Sequence, residues 1–508
     1  MADSVVEAAL AHYRAGNTDA AIELLLGAID ADPSSALYHY HLGNVYWDQE
    51  LRSEAASCYT EARRLDPNIA AIPFQTGVEF ARAGMLDEAE ACLSLALSFR
   101  NEHAPALSCL GDVLRRLGRP DEGLPLLEAA VRLAPSSSEA HANLGVAMCD
   151  MDRLEEATAA LETALRLNPS DAAAMNNLGV AHRQRGQIDE ARRILDAAVW
   201  LAPDFAEARL NRAMTMLLAG DFKESWFEYE WRPKAELPCE HPLRLPVAGK
   251  TILLHAEQGL GDLIQFVRYA GPLAKMGARV LVECGDAVAP LIRTASGIAD
   301  VVVQGSTLPE FDENAPLLSL PRLLHPDAAT LPVEFPYLRP DGELVAEWRK
   351  RFKDESRLRV GFVWGGNPGT SYDRRRSIPL VELGSILGEP GVAAYSLQRG
   401  PRMEELATLP ASLSIVNLEA TCSGIMDTAA AMMCVDLFIT ADTMPAHLAG
   451  ALGRTVWILL PFAPDWRWML GREDSAWYPT ARLFRQPQPG DWSSVVRQAG
   501  DALRVALS

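Results

Sequence analysis

Residues 135–168 read PSSSEAHANLGVAMCDMDRLEEATAALETALRLN, and residues 169–202 read PSDAAAMNNLGVAHRQRGQIDEARRILDAAVWLA. The two stretches align without a gap over a period of 34, matching Pro135 to Pro169, Leu144-Gly145 to Leu178-Gly179, and Ala157 and Ala164 to Ala191 and Ala198. The beat continues outward. Prolines fall at Pro33, Pro67 and Pro203, and the one missing beat falls on Asn101. Leu42-Gly43 and Leu110-Gly111 keep the Leu-Gly phase, with Thr76-Gly77 in register. Ala55 and Ala89 precede Ala157 in one small-residue series, with Gly123 in the remaining slot; Ala62, Ala96 and Ala130 precede Ala164 in the next. Gly16, Gly84, Gly118, Gly186 and Gly220 fall where a turn is needed. A fixed period of this length is the mark of stacked helix–turn–helix units. Small residues let the two helices of a unit approach closely. Proline ends each second helix by removing a backbone donor and crowding the preceding turn. One unit cannot bury its apolar face alone, so the array is stable only when stacked.

This pattern resembles the tetratricopeptide repeat (TPR) over residues 2–205, with a degenerate seventh unit running through Trp226, Tyr229 and Trp231 to Arg232. We therefore expect a TPR superhelix over 1–234. Such an array presents a concave face lined by the first helix of each unit. Asn143, Asn177 and Asn211 recur at 34-residue steps on that helix. An amide offers both donor and acceptor to an extended backbone. Local turns and water are the plainer use for such amides. The nuclear and cytosolic O-linked N-acetylglucosamine transferase has an asparagine ladder at this repeat phase, and that resemblance favours acceptor binding by all three. Gln75, His41 and Cys109 occupy the earlier phases.

The chain has 508 residues, with 47 Lys+Arg against 67 Asp+Glu, a formal charge of −20. Length alone suggests about three domains. A hydrophobic share of 49% with 22% charged residues is that of a globular protein and disfavours disorder. The acidic balance argues against nucleic acid or an anionic membrane as the main partner, while leaving room for a local phosphate pocket. Met1-Ala2-Asp3-Ser4 does not open a secretory leader, and no apolar stretch approaches membrane-spanning length. A cytoplasmic protein without a membrane partner is expected. The eight cysteines are scattered without a C-x-x-C pair, which disfavours a zinc site or disulfide framework.

After the repeats the texture changes. Pro238, Pro242 and Pro246 mark a linker over 235–249. Apolar runs at Thr251–Ala256, Arg279–Glu283, Asp300–Val303 and Ala315–Leu320 read as strands of one lobe, 250–340. Pro332, Pro336 and Pro340 mark a second break, with a hinge over 341–357. Leu358–Trp364, Ala393–Leu397, Leu413–Leu418, Asp436–Ala441 and Thr455–Leu460 then read as strands of a second lobe, 358–508. Strands alternating with helical patterns predict parallel sheets. The expected fold is thus an α-solenoid followed by an α/β pair of Rossmann-like lobes. The final amphipathic stretch, Ser493–Leu507, is placed to cross back onto the first lobe.

Ligands of such sheets sit beyond the carboxyl ends of strands, where helix N-termini point N–H groups outward. Three junctions qualify. Gly259-Leu260-Gly261-Asp262 follows the first strand; it is not a dinucleotide fingerprint, because Ile264 stands at the third glycine position. Trp364-Gly365-Gly366 leads to Arg374-Arg375-Arg376, a candidate phosphate clamp since guanidinium groups bind phosphate bidentately. Asp442-Thr443 opens a helix with His447 one turn on. The plain alternatives are an N-cap aspartate, a solvated basic loop and a core histidine.

The order of Gly-x-Gly-Asp (259–262) and Asp-Thr-x-x-x-His-Leu-x-x-Ala-Leu (442–452) resembles the bacterial heptosyltransferase family, two-lobed GT-B enzymes that use nucleotide-diphosphate sugars. The resemblance spans roughly 250–508. It implies Asp262 as catalytic base, with Gly261, Arg376, Asp442, Thr443 and His447 at the donor. That family has Gly where Met444 stands and Lys where Arg376 stands, so acceptor and sugar contacts do not carry over. Gln398, after the strand 393–397, is a further candidate for the nucleotide. Trp466 and Trp468 are candidates either for stacking on base or sugar or for packing. The layout with TPRs is similar to O-linked N-acetylglucosamine transferase and to bacterial protein glycosyltransferases, including those acting on flagellin.

The implied activity is transfer of a sugar from a nucleotide donor to a hydroxyl of a protein acceptor, inverting and without metal or other cofactor. After residue 250 there is no Asp-x-Asp pair of the kind that holds a metal-bound diphosphate. Two rivals are a non-enzymatic TPR adaptor with a degenerate GT-B domain and a glycosyltransferase acting on lipopolysaccharide or glycan.

Overall fold

The computed structural model describes residues 2–49, 51–66, 71–233, 241–325, 327, 334–369 and 373–508. Pro67, Pro238, Cys239, Pro332 and the linker residues 235–240 lie outside the described residues. The chain divides into two compact units, 1–178 and 179–508.

The first unit is a solenoid of helical hairpins. Its pairs are Ala2–Arg14 with Thr18–Ala31, Ala36–Asp48 with Arg52–Leu65, Ala71–Ala83 with Leu86–Phe99, Ala104–Arg116 with Pro120–Leu133, and Ser138–Asp150 with Leu154–Leu167. The small residues of the repeat sit at the helix crossings. A Cβ at Gly145 would stand 2.6 Å from Leu161 Cγ, and one at Gly111 2.6 Å from Leu127 Cγ. Both leucines are fully buried. The turn glycines Gly16, Gly84 and Gly118 have φ of +79°, +79° and +80°, a conformation that costs other L-residues free energy. The 34-residue beat is therefore a record of helix contact and of chain reversal.

The helix Ala172–Gln184 spans the division, and the second unit goes on through Ile188–Leu201, Ala206–Ala219 and Phe222–Tyr229 into two sheets. Strands β1 Thr251–His255, β2 Arg279–Cys284, β3 Ile298–Val303 and β4 Glu313–Pro316 form the first, in the order β3-β2-β1-β4. Strands β5 Leu358–Val363, β6 Val392–Ser396, β7 Ile415–Asn417, β8 Leu437–Ala441, β9 Val456–Leu460 and β10 Ala481–Arg485 form the second, in the order β10-β9-β8-β5-β6-β7. Every pairing between these strands is parallel. β6, β8 and β9 are buried along their whole length, as parallel strands covered on both faces must be.

Several details differ from expectation. β4 is displaced to Glu313–Pro316, because Pro316 has no N–H to continue the ladder and Leu317–Ser319 turns into a 3₁₀ helix. The segment 341–357 carries the helix Gly342–Arg351, capped by Asp341 Oδ1 accepting from Leu344 N–H at 2.8 Å and anchored by buried Val345 and Trp348. β10 escaped the sequence reading. The C-terminal helix Trp492–Leu507 covers the second sheet and not the first lobe, its Val495, Val496, Ala499 and Leu503 joining the cluster of Val360, Phe362, Ile439 and Leu459. Among the described residues no helix is long and apolar enough to cross a membrane.

Candidate functional site

In both sheets the chain fills one side, then returns to fill the other. The reversals fall between β1 and β4 and between β5 and β8. A crevice opens at such switch points beyond the strands' carboxyl ends. The segments after β1, β5 and β8 line one cavity of about 350 Å³, whose walls include Gln258, Gly261, Asp262, Arg376, Asp442, Thr443 and His447, together with Asp465 and Arg467 after β9. Two larger hollows, about 560 and 540 Å³, open beside β10 and at the amino ends of β5 and β8. Neither gathers strand carboxyl ends.

The wall after β1 is built by close approach. Gln258 is held at φ +55°, an uncommon conformation for a residue with a Cβ. The helix Leu260–Phe266 then packs its first turn on the helix Met444–Ala451, and a Cβ on Gly261 would stand 3.0 Å from His447 Cδ2. Gly261 thus serves contact between the two walls. Asp262 sits in the first turn, where its Oδ2 accepts from the Gly259 N–H at 3.0 Å. Its Oδ1 is ion-paired with Arg467 Nη2. Two of the roughly four lone-pair sites on the carboxylate are thereby engaged.

Arg467 was not singled out in the sequence. It is buried, donating from Nε to Gln265 Oε1 at 2.7 Å and from Nη1 to Asp465 Oδ1 at 2.8 Å. Its guanidinium lies 4.2 Å from the Trp466 ring centroid. The one available signal was an arginine between two tryptophans just past a strand end.

Asp442 is only 5% exposed, and among the described residues its buried Oδ2 has no hydrogen-bond partner. Burial and the neighbouring Asp465 charge push its carboxyl up to about 6, with the Trp468 indole, Arg376 and Arg467 pulling the other way. Thr443 is the N-cap of the helix Met444–Ala451 but does not cap it with its side chain; its Oγ1 donates to Ala441 O at 3.4 Å. His447 Nδ1 is hydrogen-bonded to Tyr478 OH at 2.9 Å, and its ring stacks on Trp468 at 5.3 Å. Burial, reinforced by Arg467, Arg268 and Arg376, holds this imidazole well below its ordinary range, so it is neutral at pH 7.

Of the three adjacent arginines, Arg376 reaches the cavity. It is anchored by Nε to Asp373 Oδ1 at 3.3 Å. Asp373 also accepts from Gly366 N–H at 2.9 Å, Ser377 Oγ at 2.9 Å and Arg402 Nη2 at 2.5 Å. Burial pushes its carboxyl up, but Arg402 and Ser377 more than offset this and leave it below the usual range. Gln398 does not line the cavity. Its Oε1 accepts from the Trp364 and Gly365 N–H groups, both at 3.1 Å, and its Nε2 donates to Gly365 O at 3.0 Å. It shapes the turn that carries Arg376.

Trp466 and Trp468 are both buried in packing. Trp466 meets Trp226 edge-on at 5.5 Å and Tyr229 at 5.7 Å, while Trp468 lies behind His447. The asparagines occupy equivalent helices and are all half-buried. Asn143 Nδ2 donates to Ser108 Oγ at 3.0 Å, and Asn177 Oδ1 accepts from Asn176 at 3.5 Å. Asn211 Oδ1 accepts from Arg183 Nη2 at 3.3 Å.

Family models described as tetratricopeptide repeat match residues 6–68, 150–204 and 182–229, and another matches 102–170. The N-terminal region is therefore built of TPR repeats. The protein FlbA of Caulobacter vibrioides is 27% identical over 328 residues, which cover 58% of this chain and 54% of FlbA. The chain thus spans about half the length of that curated relative. Among solved structures, YrrB, titled a TPR protein with an unusual peptide-binding site, is 26% identical over 36% of this chain and 95% of its own, with a TM-score of 0.28. A thermophilic TPR protein of Thermus thermophilus, TTC0263, is 26% identical over 32% of this chain and 88% of its own, with a TM-score of 0.30.

Proposed function

We propose that this protein transfers a sugar from a nucleotide-activated donor to a hydroxyl of a protein acceptor gripped by the TPR repeats, in a GT-B arrangement of its two Rossmann-like lobes. The observation that carries this reading is the meeting of Asp262, Arg376, Asp442-Thr443 and His447 in one cavity at three strand ends.

In this mechanism the acceptor hydroxyl attacks the anomeric carbon as the bond to the departing phosphate breaks. Asp262 takes the hydroxyl proton through a lone pair that neither Arg467 nor Gly259 uses, which suits a single displacement with inversion. Charge accumulating on the departing phosphate is met by Arg376 and by the Thr443 and Met444 N–H groups at the start of the helix Met444–Ala451, where Pro445 has no N–H and the Ala446 N–H is bonded to Thr443 O. These donors are fixed before the reaction begins, so no reorganisation is required of them and no metal is invoked. Asn143, Asn177 and Asn211 would exchange their local hydrogen bonds for the backbone of an extended acceptor segment, flagellin being one candidate.

The test is incubation of the full chain with a panel of sugar nucleotides and candidate acceptors, followed by mass spectrometry of the acceptor. Glycosylation of a protein supports the reading, and its loss in Arg376→Ala identifies the donor site. Binding of acceptor without turnover of any donor would point to an adaptor. Transfer to a glycan, unaffected by replacing the three asparagines with alanine, would discard the protein acceptor.

A further inference from the structure

The cavity walls hold three carboxylates, Asp262, Asp442 and Asp465, against two guanidiniums, Arg376 and Arg467. His447 is neutral there. With every acid ionised, the walls have one negative charge too many, which is the wrong sign for a ligand whose own phosphates are anionic. Arg467 does not relieve this, because its Nη1 and Nη2 are already shared between Asp465 and Asp262. Arg376 is partly neutralised by Asp373 behind it.

Asp442 differs from the other two acids. Asp262 and Asp465 share a guanidinium, whereas the buried Asp442 Oδ2 has no hydrogen-bond partner among the described residues. The groups around it come from every adjoining element. Thr443 is the N-cap of the helix that follows Asp442 and His447 lies within that helix, and Asp465, Arg467 and Trp468 follow β9. Arg376 follows β5, and Asp262 faces the cavity from the helix after β1. Behind His447 stand Tyr478 and the buried Arg268. An ionised Asp442 in the cavity wall repels a phosphate oxygen, whereas the protonated carboxyl is neutral and can donate a hydrogen bond.

We propose that a nucleotide sugar enters this cavity together with one proton, which Asp442 takes from solvent and offers as an O–H donor to a phosphate oxygen. This rests on the nucleotide-sugar reading of the site. The balance is simple: the carboxylate and one solvent proton become a carboxylic acid, no ligand bond is made or broken, and wall charge goes from minus one to zero. The proton is accessible near neutrality because burial already pushes this carboxyl upward. Asp262 remains available to act as the base, so the two aspartates divide hydrogen-bond donation and proton acceptance between them.

The test is calorimetric titration of the full chain with UDP-glucose, GDP-mannose, ADP-glucose, dTDP-glucose and CMP-N-acetylneuraminate. The phosphates of these probes do not titrate around neutral pH. Whichever probe binds is then titrated in PIPES, HEPES and Tris, whose ionisation heats differ. Proton uptake is expected, approaching one per site as the pH is raised, with affinity falling roughly tenfold per pH unit above Asp442's titration range. Asp442→Asn, which always has a donor, should bind with little pH dependence and no uptake. Binding without proton uptake by the native protein would overturn the inference while leaving the transferase reading standing, and so would an undiminished pH slope in a folded Asp442→Asn. Failure of every probe to bind would overturn both.

Discussion

Arg467 is ion-paired with Asp262 across 205 positions of sequence, joining the segment after β9 to the helix after β1. The pair is largely removed from water, with side-chain exposures of 8% and 16%. Asp465 shares the same guanidinium, and Trp466 lies against its face. Removing one partner of a buried pair is costly because the other charge is left behind. Arg467→Gln leaves two acids facing each other, so thermal unfolding should show a loss of about 3–5 kcal/mol. A loss below about 1 kcal/mol would mean that the cavity charges are solvated and weakly coupled.

Asp262→Asn keeps the shape of the first turn, and its amide oxygen can still accept from the Gly259 N–H or Arg467. It loses the capacity to take a proton and, with it, one negative charge of the cavity wall, the one paired with Arg467. General base catalysis typically contributes about 10²–10⁴-fold. Transfer rate should therefore fall by at least about 100-fold, while nucleotide-sugar affinity in the same calorimetric assay should not fall, since one wall carboxylate fewer faces the phosphates. Retention of the full rate in a folded variant would remove Asp262 from the chemistry.

The repeat was legible because each periodic residue answers to one local requirement: Gly145 to a helix crossing, Gly118 to a left-handed turn. The strands β5, β8 and β9 were legible as short apolar runs for the same kind of reason. β10 was not, since Arg482 and Arg485 interrupt its apolar residues and make it look like surface. Arg467 was missed because two of its partners, Gln265 and Asp262, lie about two hundred positions away, a distance that periodicity does not report. Gln398 was misread as nucleotide-facing because a strand-end position does not reveal that the amide turns back onto the Trp364 and Gly365 backbone.

The repeat seam gives a paired prediction of opposite sign. Gly145 and Gly27 both lie inside helices, but a Cβ at Gly145 meets Leu161 Cγ at 2.6 Å, while one at Gly27 meets nothing within 4 Å. Alanine lowers the entropic cost of a helix by roughly 0.5–1 kcal/mol relative to glycine, and overpacking a tight contact costs about 1–3 kcal/mol. Gly27→Ala should therefore raise stability in urea denaturation, and Gly145→Ala should lower it. Equal shifts for the two would show that Leu161 yields without penalty.

Asp442 should also leave a mark on pH-dependent stability. Its carboxyl titrates near 6 in the folded protein, above the ordinary value of 3.8. Between those values the folded chain binds the proton and the unfolded chain does not, so this group makes stability fall as pH rises from about 4 to 6. Above 6 the penalty of a buried, ionised, poorly partnered carboxylate is fully present. Asp442→Asn removes the ionisation, so its melting temperature relative to the native protein should be raised at about pH 7.5, and the advantage should shrink toward about pH 5. An advantage that stayed constant over that range would show that Asp442 is ionised without strain, and that its buried oxygen is not short of a partner.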